Sequence, residues 1–164
     1  MSPYPFPLSA VTIDPQQTVY YRRCRFQTRL PVDRLFTPAH YWLAEVESGL
    51  WHIGLTKFAT RMLGDLVEHD FNAAVGDSVE AGEPIGWIEG FKAISDIYCS
   101  ANGVFAGGNP ELADDLTLVE RDLYHRGWLY GVRGNPGEGI LDVNGYISLL
   151  DRTIDRMLRL QRQA

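Results

Sequence analysis

Lys92 is the residue in this chain whose position best suits it to chemistry. It stands between Ile85-Gly86-Trp87-Ile88-Glu89 and Ser95-Asp96-Ile97-Tyr98-Cys99, each of which reads as a strand. The short connection between them puts the lysine near the tip of a hairpin. A tip lysine offers an exposed primary amine at a fixed place, which one enzyme can acylate and several others can meet in turn. The remaining reactive side chains form no such arrangement. Cys24 and Cys99 make neither a disulfide framework nor a Cys-x-x-Cys pair. Four scattered histidines, His40, His52, His69 and His125, lack metal-ligand spacing, so no metal is expected. Asp65, Glu68, His69 and Asp70 cluster along the chain, but neighbours on a strand point to opposite faces. No Gly-x-Ser-x-Gly, Gly-x-x-x-x-Gly-Lys or His-Glu-x-x-His occurs, and no catalytic residue of the chain's own is expected.

The residues around Lys92 sharpen the reading. Gly76-Asp77-x-Val79-x-x-Gly82, followed by Glu89-x-x-Lys92-Ala93, resembles the biotinyl/lipoyl attachment domain, with Gly103 where that family turns into its next strand. Biotin carriers flank the lysine with methionines, whereas Phe91 and Ala93 stand here. In detail the chain resembles the glycine-cleavage H-protein type. The matching blocks are His40-x-Trp42, then Gly54-Leu55-Thr56 with Ala59 and Leu63-Gly64-Asp65-Leu66-Val67, then Lys92-Ala93-x-Ser95-Asp96-Ile97-Tyr98, and Gly127-Trp128-Leu129. They stand in the family's order and cover about residues 40 to 131.

The resemblance implies a mostly β fold, the lipoyl/biotinyl-type barrel-sandwich hybrid, with short helices, to which the periodicity near the C-terminus adds an amphipathic helix. It implies covalent lipoate on Lys92 and a non-catalytic carrier role, with a lysine-plus-lipoyl arm reaching roughly 14 Å. Glu89, Phe91, Ala93 and Asp96 flank the tip and are the candidates for recognition. The implied partners are a lipoate ligase or lipoyl-assembling enzymes, together with client enzymes. Several residues depart from the family. Phe91 replaces a small or β-branched residue, Gly90 a small polar one, and Cys99-Ser100-Ala101-Asn102 a stretch that commonly contains proline. Those departures favour the related lipoate-binding proteins that serve heterodisulfide-reductase-like complexes in sulfur oxidation. The H protein of glycine cleavage, carrying an aminomethyl group, is the alternative. An unmodified binding module is the alternative of another class.

The elements that must position the lysine are also visible. Residues 1 to 17 hold four prolines and read as a tail or extended wrap. Arg23 to Leu30 alternates as a single half-buried strand, with Cys24 and Phe26 on its apolar side and a basic outer face. Tyr41–Glu47 and Leu50–Thr56 read as strands around Ser48-Gly49, Lys57–Leu63 as a helix stopped near Gly64, and Leu66-Val67 as another strand. Asn109-Pro110-Glu111 opens a polar helical stretch, and Gly127–Tyr130 reads as the last strand. Gly134–Gly139 reads as a linker. Ile147, Leu150, Ile154 and Met157 recur at helical spacing, giving a helix of about five turns at most whose apolar stripe packs on the barrel. The expected organisation is 1–39 as an N-terminal extension with one strand, 40–131 as the lipoyl domain, and 132–164 as linker and helix. A net charge of −6 argues against nucleic-acid or membrane partners. With no signal peptide or apolar span, the expectation is a cytoplasmic monomer.

Overall fold

The structure is a computed structural model that describes residues 17–163. Most of the proline-rich segment read as a tail lies outside the described residues. The chain is mostly β. An antiparallel hairpin, β1 (Thr18–Arg23) and β2 (Phe26–Pro31), comes first. A six-stranded sheet follows, in the order β3 (Leu35–Phe36), β4 (Tyr41–Glu47), β5 (Leu50–Leu55), β11 (Tyr130–Pro136), β10 (Ala101–Gly108), β7 (Ser78–Val79). The third sheet has the order β6 (Leu66–Phe71), β8 (Pro84–Gly90), β9 (Ile94–Tyr98). Helix α1 (Lys57–Leu63) links β5 to β6, a 3-10 turn (Pro110–Ala113) and α2 (Leu118–Arg121) link β10 to β11, and α3 (Val143–Gln163) closes the chain.

Two apolar clusters hold these elements. The first lies between the six-stranded and three-stranded sheets and includes Leu43, Ile53, Ile88, Ile97, Phe105 and Val132. It gives the barrel its interior and the lysine hairpin its support. The second joins the hairpin and α3 to the outside of the barrel through Tyr21, Leu30, Trp42, Trp128, Tyr146 and Leu150. The expected apolar stripe of α3 packs on this cluster, with Leu150 and Ile154 buried and Ile147 and Met157 half-buried, and it begins earlier than expected because Tyr146 belongs to it. The Tyr146 ring stacks on Phe36 with centroids 4.7 Å apart. Its hydroxyl lies 2.8 Å from Thr56 Oγ1 and 2.9 Å from His40 Nδ1, tying the helix to the start of α1.

The structure departs from the sequence expectations at the N-terminal hairpin and along the last strand. The single strand over Arg23–Leu30 is the turn and second arm of a hairpin. Arg23 pairs with Phe26, so Cys24-Arg25 is a two-residue turn, and Cys24 adopts φ 55°. That conformation normally selects glycine or asparagine, so the turn left no signal in the residue types. Cys24 is accordingly exposed rather than on the apolar side. The last strand begins at Tyr130 and runs through Gly134-Asn135-Pro136, the segment read as a linker. These residues pair with Gly103, Asn102 and Ala101, and Gly103 faces Gly134 because a Cβ on either would overlap the partner strand's carbonyl. Gly103 thus sits inside β10 and not at a turn.

Candidate functional site

The β8–β9 hairpin presents Lys92 as expected. Gly90 donates its N–H to the Ala93 carbonyl at 2.9 Å, which leaves Phe91 and Lys92 as the exposed tip. Tips of this kind are ordinarily mobile, but here the loop that ends α1 holds it. The Phe91 N–H donates to the Asp65 carbonyl at 3.0 Å, and the Lys92 N–H donates to the Leu63 carbonyl at 2.9 Å. Glycines permit the contact. A Cβ on Gly90 would overlap the Leu63 carbonyl oxygen, and Gly64, at φ 76°, lies against the Lys92 stem. Helix α1 is itself fixed at its start, where the Thr56 hydroxyl accepts from the Ala59 N–H. The lysine amine thus extends from a backbone anchored on both sides.

The surroundings of Lys92 are acidic. Between Gly64 and Tyr98 eight carboxylates stand against one cation, Lys92 itself. The register places Glu68, Glu89 and Ile94 in one row across the sheet and Asp70, Trp87 and Asp96 in the next. These rows share the outer face. Two of the expected recognition residues, Glu89 and Asp96, therefore lie together on it, half-exposed and exposed respectively. Glu68 and Asp70 join them, although sequence adjacency had suggested a dispersed group. Their spacing of two along β6 was the signal. Phe91 is 81% exposed and Ala93 is exposed, both at the tip itself.

Beside the lysine runs a groove of about 340 Å³, walled by Lys57 and Arg61 of α1, Asp65, Phe91 and Glu120. Burial and then the nearby Asp65 push the Glu120 carboxyl above its usual range. Leu63 and Asp65 anchor the tip through backbone carbonyls, which no residue type in the sequence announces. Cys99 is buried, as expected, with its thiol donating to the Ala101 carbonyl at 3.2 Å and held above its usual pKa by burial. Cys24 lies at the β1–β2 turn, on a different hairpin from Lys92. Among the described residues no cluster of three or more His, Cys, Asp or Glu side chains could hold a metal ion, and no helix is long and apolar enough to cross a membrane.

An exposed amine with no ion-pair partner among the described residues, on a tip with fixed backbone, suits acylation by a bulky acyl chain. The comparisons with known proteins address the same region. The model of the family described as Glycine cleavage H-protein matches residues 34–143. The glycine cleavage system H protein of Corynebacterium jeikeium is 36% identical over 122 residues, covering 73% of this chain and 95% of that protein. That of Shewanella denitrificans is 34% identical over 125 residues, covering 74% and 96%. Among solved structures, a glycine cleavage system H protein from Mycobacterium marinum superposes with a TM-score of 0.66 at 33% identity, over 73% of this chain and 97% of that one.

Proposed function

The chain belongs to the glycine cleavage H-protein family, and on that premise we propose that it is a lipoyl carrier whose arm is attached to Lys92. The observation that carries the reading is the anchored tip: an exposed lysine whose backbone N–H, and that of Phe91, are both held by the loop after α1. An amide on the Lys92 amine removes the only cation between Gly64 and Tyr98 and leaves the acidic face intact for recognition. When attached, lipoate supplies a flexible arm ending in a dithiolane that takes up a transferred group together with two electrons. The chain's own contribution is to hold the root of the arm at a set point and to present docking residues around it. Phe91, Glu89, Ala93 and Asp96 are the residues we assign to that recognition, with Glu68 and Asp70 added.

We place the carrier in glycine cleavage, where the cargo is the aminomethyl group derived from glycine. The relatives are glycine cleavage system H proteins, which favours this alternative over the sulfur-oxidation reading that the departures around Lys92 had put first. The test is glycine-dependent release of carbon dioxide by a purified glycine decarboxylase supplied with the lipoylated chain. Turnover that requires the chain and is lost with Lys92→Ala supports the reading. No turnover with a chain of verified lipoylation contradicts glycine as the source of the cargo.

A further inference from the structure

We propose that the groove between the β1–β2 turn, α1 and the C-terminal half of α3 is a docking site for an acidic amphipathic helix of a client enzyme. That the partner is a client rests on the carrier reading; the chemistry of the groove does not. The cavity measures about 560 Å³. Its floor is apolar: Phe26, Phe58, Met62, Ile154, Met157 and Leu158. Its rim carries Arg23, Arg25 and Arg61, and no carboxylate lines it. Arg23 is engaged by Asp151 and Asp155, at 3.2 and 2.8 Å. Neither Arg25 nor Arg61 has an ion-pair partner among the described residues, and both are exposed.

Two unpaired guanidinium groups beside a partly open apolar floor, in which Met62 is exposed and Phe26, Met157 and Leu158 are half-buried, define a partner with an apolar stripe and a negative flank. A cavity lined by two helices and a turn can receive a further helix, and methionines let such a floor adapt. The charge distribution supports a protein segment over a polyanion. The hairpin has four arginines and no acid, yet the whole chain carries −6 and the neighbouring lysine face is densely acidic. An extended polyanion would run onto that face and be repelled along its length, whereas a short acidic helix stays on the basic side of α1.

The location gives the groove a use. Arg61 lines both this groove and the one beside Lys92, so α1 alone separates the docked partner from the root of the arm. A client held here would sit within reach of an arm of roughly 14 Å. Most of the lining, Arg23 to Phe26 and Ile154 to Gln161, falls outside residues 34–143, the part matched by the family. The contact is therefore an addition of this chain to the carrier domain.

The test is a calorimetric titration of the full chain with a blocked synthetic helix that places Leu and Phe at i, i+3, i+4 and i+7 and Glu elsewhere. The expected result is saturable one-to-one binding that weakens about tenfold or more in R25E/R61E, a change of about 1.4 kcal/mol or more. Met62→Glu weakens it as well, added salt weakens it, and the same peptide with Lys for Glu does not bind. Far-UV circular dichroism checks that the variants, changed only at exposed positions, remain folded. Absence of saturable binding overturns the proposal, as does binding that R25E/R61E leaves unchanged. Lipoylation of Lys92 does not enter the titration, so failure of the carrier reading would show elsewhere.

Discussion

Gly90 and Phe91 are neighbours at the hairpin tip, and the structure gives them opposite expectations. A Cβ at Gly90 would enter the space of the Leu63 carbonyl. Gly90→Ala should therefore cost about 1–3 kcal/mol, read from urea midpoints, and should slow acylation of Lys92 because the tip is displaced. Unchanged stability and an unchanged acylation rate would show that the anchoring is incidental. Phe91 is 81% exposed and packs on nothing the fold requires. Phe91→Ala should change stability by no more than about 0.5 kcal/mol, while raising the KM of a client for the lipoylated chain. Lys92 was legible in the sequence because its motif is made of side chains and turns. The Leu63 and Asp65 carbonyls were not, since a backbone acceptor looks the same on any residue.

At the scale of elements, strands and helices of the barrel were legible wherever hydrophobic period and turn residues agreed. Residues 41–63 are the clearest case, with Ser48-Gly49 and Gly64 punctuating two strands and α1. Legibility failed where the backbone chose an unexpected residue for a demanding conformation, as at Cys24, and where composition misled. Gly134-Asn135-Pro136 reads as a linker in isolation, but its glycine is there to let β11 approach β10 closely. Helix α3 was expected from its stripe, yet its polar anchor was hidden because Tyr146 looks like one more apolar residue. Tyr146→Phe removes a hydroxyl shared by Thr56 and His40 and leaves the buried Thr56 short of a partner. The expected loss is about 1–3 kcal/mol, measured by thermal and urea unfolding. A neutral result would mean that apolar packing alone docks the helix.

At the scale of the molecule, charge and pH behaviour follow from the two-core design. The acidic face around Lys92 and the arginine-rich hairpin and α3 divide the surface into regions suited to different contacts. His52 is buried and His40 half-buried against the second core. Burial lowers His40 and His52 to about 4 from 6.5, and His52 stacks on Trp128 at 3.8 Å. Between those values the unfolded chain binds more protons than the folded one. The stability these neutral histidines preserve is fully present above pH 6.5 and is lost as pH falls toward 4. The slope is at most about 1.4 kcal/mol per pH unit for each histidine. Urea midpoints across that window should fall with pH, and His52→Gln should flatten the decline if it folds. A flat profile in the parent chain would contradict the assignment.

Attachment of the arm to Lys92 is tested by intact mass after co-expression with a lipoate ligase, followed by peptide fragmentation. The expected result is a single lipoyl increment located on Lys92, absent from Lys92→Ala and undisturbed in Cys24→Ser. A chain that stays unmodified with several competent ligases, or an increment found on Lys57 instead, would contradict it.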